Sequence, residues 1–272
     1  MIPVFPLVEA LSVGAAAGLV GAVAVLHRRV FFSEAITHAT FPGAVLGVVL
    51  AAAFVPGISA SGLSVFLFLG AFAACIPLAG MMRVLEVRAG LSAQAAAGVV
   101  LTLGFSGGYF LAKWFQPLPL RVDSFLTGSI LTVNALDIAA ATGLLLIAGA
   151  VVWALRWPLV YTAFDRNFPG QRTALFDAIV LILICLTVVV CIPAVGTILP
   201  IALIAAPAGT LWTTAKDPLW FLAGSAVLGA TLAVFGLTIA VGLSLSAGGM
   251  IALAGGCCFA LSGLWRRSGL LQ

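Results

Sequence analysis

Glu34 and His38 lie four residues apart in the stretch FFSEAITHATFPGAVLG at 31–47. On a helix this spacing puts both side chains on one face, one turn apart, with Thr37 beside them. A carboxylate and an imidazole so placed can hold one divalent cation. The mixed oxygen and nitrogen donors suit zinc or manganese better than magnesium or calcium, which take all-oxygen sites. Two ligands make a weak site, and weak binding is what a pathway that must release its ion requires. The same pair can instead hydrogen-bond to each other as a structural cap, with Ser33 as N-cap and Glu34 answering the helix dipole. Glu9 is a further ionisable residue inside an apolar stretch. His27 abuts Arg28 and Arg29 and reads as interfacial.

The elements that would position these residues are membrane helices. Of 272 residues, 63% are hydrophobic and 7% charged, and the mean hydropathy is +1.28. Soluble domains run near ~45–50% apolar and ~25% charged. The balance excludes a soluble enzyme, a disordered regulator and a nucleic-acid binder, because the net charge of +4 is spread over isolated residues with no basic stripe. Apolar stretches long enough to span a bilayer, ~20 residues each, fall near 5–26, 35–55, 63–82, 91–112, 135–155, 174–192, 196–212, 219–243 and 248–265. The sixth and seventh are short and could form one broken helix. The fold class is therefore an all-α polytopic membrane protein with about nine spans, in the range of eight to ten. With the N-terminus outside and the C-terminus inside, inner loops hold ten of the 12 Lys and Arg residues, and only Lys113 and Arg121 lie outside. The first span lacks a basic flank before it, so a cleaved signal peptide is not expected.

No soluble domain is visible, and residues 1–272 read as one transmembrane domain. Two loops are longer than the rest. Residues 113–134, outside, have an amphipathic later half suited to an interfacial or re-entrant helix. Residues 156–173, inside, are the most polar stretch of the chain. Pro42, Pro77, Pro200 and Pro207 fall within spans, where proline kinks a helix. Gly14 with Gly18, Gly43 with Gly47, and Gly104 with Gly108 are spaced for close helix packing in lipid. The five cysteines show no CxxC pair and read as small apolar residues. There is no GxxxxGK[ST] phosphate loop, no HExxH and no GxSxG. The chain is therefore not read as an enzyme, and no cofactor is expected on it.

SEAITHATFPG at 33–43 resembles the S/G-D-A-I-S-H-A-x-L-P-G signature of metal-specific ABC importer permeases, the bacterial zinc, manganese and iron uptake family. Further stretches agree in order: FLTGSIL at 125–131, TAFD at 162–165, VGTILPIALIAAP at 195–207 and the Gly242–Ser246 segment. The matches reach from the second span almost to the last. There are departures. Glu34 stands where the family has Asp, the Phe164–Asp165 pair is followed by Arg166, Asn167, Phe168, Pro169 and Gly170 instead of P-E-x-A, and the last outer loop is shortened.

The resemblance implies a permease subunit of an ATP-dependent divalent-metal importer in the bacterial cytoplasmic membrane. The metal would be manganese, zinc or iron, carried as substrate, with ATP bound by partner subunits. Glu34 and His38 would form a transient metal site. The inner loop at about 156–174, with Phe164, Asp165, Phe168 and Gly170, would couple to the ATPases. Expected partners are two cytoplasmic ATPase subunits, a second permease subunit that is identical or paralogous, and an extracytoplasmic metal-binding protein, in a lipid bilayer and without nucleic acid. A stand-alone secondary metal transporter or channel is the alternative, although no internal repeat marks one.

Overall fold

The computed structural model describes residues 4–55, 57–118, 128, 130, 133–165, 173–197 and 200–267. Among the described residues there are ten α-helices and no strand: α1 (Val4–Leu26), α2 (Val30–Ala39), α3 (Phe41–Phe54), α4 (Ala60–Val87), α5 (Ala93–Trp114), α6 (Ala135–Phe164), α7 (Thr173–Val195), α8 (Pro200–Leu211), α9 (Pro218–Leu243) and α10 (Ala247–Arg267). Eight helical stretches are long and apolar enough to cross a membrane, with α2 and α3 counted together as Val30–Phe54. The twelve residues of α8 form a shorter apolar helix. Together they make the nine segments expected from the sequence, and the chain is a multi-pass membrane protein.

Lipid explains why the described residues build helices. Backbone polar groups in hydrocarbon must be satisfied within the segment itself. Several helix starts are set locally. Asn134 caps α6, accepting from the N–H of Leu136 at 2.8 Å and of Asp137 at 3.1 Å, while Asp137 accepts from the Asn134 N–H at 2.9 Å. This reciprocal box satisfies donors that the first turn leaves unpaired. Ser59, Ser92 and Asp217 cap α4, α5 and α9, their side chains accepting from the N–H of Gly62, Ala95 and Trp220.

The helices cluster in two compact units. One comprises α1 with α6–α10, and the other comprises the helices between residues 31 and 127. In the first, α1 is packed against α6, α7, α8 and α9. Its glycines make this possible: a Cβ at Gly18 would overlap the Ser225 carbonyl of α9, and one at Gly21 would overlap the Ile204 carbonyl of α8. In the second unit, α3 lies against α4 with equally close backbones, Gly43 and Gly47 facing Gly70 and Phe66. Large apolar side chains such as Leu69, Leu146, Trp153, Val227 and Phe235 remain exposed on the chain, as lipid-facing residues should.

Two expectations from the sequence are corrected. The inner loop does not begin at residue 156, because α6 runs on through Pro158 to Phe164. At thirty residues α6 is longer than a span of ~20 requires, so its last turns extend past the apolar segment. Proline removes one helical donor, yet the helix continues because its following turn is buried. Leu159, Val160 and Thr162 all pack inward, and the Thr162 hydroxyl donates to the Pro158 carbonyl at 2.8 Å. The second correction concerns Ser33. It is not an N-cap but lies inside α2, which starts at Val30 and buries Phe32 and Ser33. Glu34 therefore lies beyond the first turn, and the helix dipole does not account for its position.

Candidate functional site

The site begins as a helix that cannot stay continuous. Pro42 has no N–H to return to the carbonyl of His38, four residues earlier. The helix accordingly ends at Ala39, passes Thr40 and restarts as α3 at Phe41. The break is tight: the Thr40 N–H still bonds the Ile36 carbonyl at 3.0 Å, and the Ala44 N–H bonds the Thr40 carbonyl at 3.1 Å. The hydroxyls of the motif turn back on the backbone, Thr37 donating to the Ser33 carbonyl at 2.6 Å. They stiffen the elbow and leave Glu34 and His38 as its polar side chains with capacity to spare.

α5 seats the elbow through two glycines. A Cβ at Gly104 would meet Ala39, and one at Gly108 would meet Phe41 and Pro42. The next residue in that helix, Phe105, meets the His38 imidazole edge to face, with centroids 6.0 Å apart and planes at 87°, and stacks on Phe41 at 6.2 Å. The imidazole is held by ring contact, which orients it while leaving its nitrogens available. Glu34 and His38 are each half-buried and share a face of α2, as the spacing predicts. No hydrogen bond or ion pair joins them. A structural cap built on their mutual bond is therefore not what α2 contains. The arrangement can chelate a cation from one side. No group of three or more His, Cys, Asp or Glu side chains able to hold a metal occurs among the described residues, so remaining ligands would have to come from elsewhere.

Of the residues expected to couple to ATPases, Phe164 ends α6 and is exposed, and Asp165 caps it. Phe168 and Gly170 lie outside the described residues, as does most of the expected interfacial helix before residue 134.

His27, read from the sequence as interfacial, follows the last residue of α1 and is buried among neighbouring helices. Its Nε2 lies 3.1 Å from the Leu159 carbonyl of α6, and its Nδ1 lies 3.8 Å from Asp177 of α7. With Nε2–H donating to Leu159, a protonated Nδ1 completes an ion pair with Asp177. One imidazole thus ties the end of α1 to the two helices that flank the inner segment. Arg28, at φ 57°, makes this placement possible by turning the chain sharply out of α1. Its N–H bonds the Val25 carbonyl at 3.1 Å and that of Arg29 bonds Ala24 at 2.7 Å, the left-handed helix stop usually built on glycine. His27→Ala is expected to cost about 1–2 kcal/mol of stability, seen as a lower melting temperature in detergent. His27→Gln, which keeps a donor, should recover part of the loss.

A membrane bundle that breaks a helix beside a half-buried pair of metal-capable side chains is built as a transport element, not as a simple anchor. The comparisons agree. The profile described as "ABC 3 transport family" matches residues 4–265, and the chain belongs to that family. It is similar to the manganese import system permease protein ScaB of Streptococcus gordonii, 26% identical over 261 residues, covering 94% of this chain and 88% of that protein. The zinc transport system membrane protein TroC of Treponema pallidum is 29% identical over 253 residues, covering 89% and 82%. Among solved structures, PsaBC from Streptococcus pneumoniae in complex with Fab superposes with a TM-score of 0.82 at 25% identity, covering 95% of this chain and 89% of that one. The chain is thus an ABC-type permease component of the bacterial plasma membrane, a transport subunit.

Proposed function

We propose that the chain forms half of the translocation pathway of an ATP-dependent importer for a divalent transition metal, manganese or zinc, with iron also within the chemistry of the pair. The observation that carries this is the Glu34–His38 pair beside the Pro42 break, with no hydrogen bond between the two side chains. A metal passing this elbow would meet one carboxylate and one imidazole. Water or a second permease subunit, identical or paralogous, supplies the other ligands. The names of the similar manganese and zinc proteins support the choice of metal class.

The energy comes from elsewhere, since the chain holds no phosphate loop. Two cytoplasmic ATPase subunits dock at the inner segment that follows Phe164–Asp165, with Phe168 and Gly170 among the residues that couple to them. An extracytoplasmic binding protein delivers the metal to the outer face. Closure of the ATPases moves the inner segment, and α6, tied to α1 through His27, carries that motion into the bundle.

The test is uptake of radioactive manganese or zinc into proteoliposomes holding this chain with its cognate ATPase and binding protein. Uptake should require ATP, vanish when the ATPase partner carries a dead phosphate loop, and survive collapse of the membrane potential. Active uptake by this chain alone, or uptake that tracks the potential and not ATP, overturns the proposal.

A further inference from the structure

Glu9 is the ionisable residue of α1 that the metal pathway does not use. It is wholly buried, at 0% exposure, and among the described residues neither carboxylate oxygen has a hydrogen-bond partner. α1 packs against α6, α7, α8 and α9. α6 presents Asp137, itself buried, with one oxygen already committed to the Asn134 N–H and its charge in range of Glu9. α7 presents the buried Cys191 thiol, also in range. α8 and α9 contain no ionisable residue between Pro200 and Leu211 or between Pro218 and Leu243. No Lys, Arg or His faces the carboxylate from these helices. An ionised Glu9 would therefore stand in an apolar core without a donor and beside a second acid, the least favourable surroundings for an anion.

Such a group must hold a cation. A metal ion needs several convergent ligands, and no group of three His, Cys, Asp or Glu side chains forms one among the described residues. A proton needs a single oxygen. We infer that Glu9 is a proton-binding site within the core around α1, occupied in this conformation and separate from the Glu34–His38 pair. The neutral carboxyl lets α1 pack tightly against four helices. When a conformational step admits water beside it, Glu9 gives its proton to that water, leaving a carboxylate and a hydronium ion. The N-terminal part of α1 is thereby a place where pH acts on the permease, whatever its substrate.

Infrared spectroscopy tests this without transport. The chain has three glutamates, Glu9, Glu34 and Glu86. In protein purified in nanodiscs with 13C-carboxyl glutamate, a protonated carboxyl band at pH 7 that moves with the label is expected in wild type. The band should persist in the E34Q/E86Q double variant, where Glu9 is the sole glutamate, and disappear in E9Q. The double variant keeps the assignment independent of whether E9Q assembles. A labelled spectrum at pH 7 with only carboxylate bands, or a protonated band lost in the double variant, overturns the inference. Neither result depends on the metal reading of Glu34 and His38.

Discussion

Cells expressing this chain with its ATPase and binding protein should lose at least about tenfold of their manganese or zinc accumulation when His38 becomes alanine. The magnitude follows from metal-site energetics: changing a residue that merely supports a ligand typically costs 10–100-fold in affinity or activity, and a ligand itself should cost no less. Glu34→Ala should match it, because two ligands on one face act as a unit and neither holds an ion alone. Glu34→Asp is expected to keep part of the accumulation, since it preserves the charge and withdraws it by one methylene. The check is elemental mass spectrometry of cells, with membrane assembly of each variant measured in parallel. Stability should change little, because Glu34 and His38 are only half-buried and share no hydrogen bond that alanine would break. If both alanine variants assemble and accumulate metal as wild type does, the pair has no part in the pathway, and the Pro42 elbow is architectural.

The second large effect lies in packing. Gly18→Leu is expected to abolish assembly. A Cβ at Gly18 would overlap the Ser225 carbonyl, with Ala226 close behind it. These are backbone atoms of α9, which cannot rotate away as a side-chain tip can. Relief requires separating α1 from α9, and α1 is also held by α6, α7 and α8. Overpacking of cores typically costs ~1–3 kcal/mol, sometimes more. Forced separation of two helix backbones should reach about 3 kcal/mol or beyond, a large part of a typical total of ~5–15 kcal/mol. Gly143→Leu on α6 is the matched control, since nothing lies within 4 Å of a Cβ built there. Fluorescence-detected size exclusion should show a monodisperse peak for the control and aggregate for Gly18→Leu. A monodisperse Gly18→Leu protein would mean that α1 and α9 are not in backbone contact in the membrane.

Several features were legible in the sequence because they are local. Span positions follow from the ~20 apolar residues that hydrocarbon demands, and the helices begin and end within a few residues of the expected segments, the inner end of α6 excepted. The Pro42 break follows from a missing N–H. The shared face of Glu34 and His38 follows from helical periodicity alone. The resemblance of residues 33–43 to a metal permease signature pointed to a family that the profile match then established.

What the sequence left open depends on contacts between residues far apart along the chain. Ser33 has the composition of an N-cap, but burial of Phe32 carries α2 back to Val30. The apolar stretch ends near residue 155, but packing of Leu159 and Val160 carries α6 on to Phe164. His27 beside two arginines reads as interfacial, but its burial against Leu159, a partner 132 residues away, is not visible in the sequence. Glu9 could be placed in a span by composition, but only the helices around α1 decide that it has no donor among the described residues. Hydrophobicity, periodicity and proline chemistry act within a few residues and fixed the spans. The environment of each charged or polar side chain is set by whichever helices close around it, and that was decided by tertiary packing.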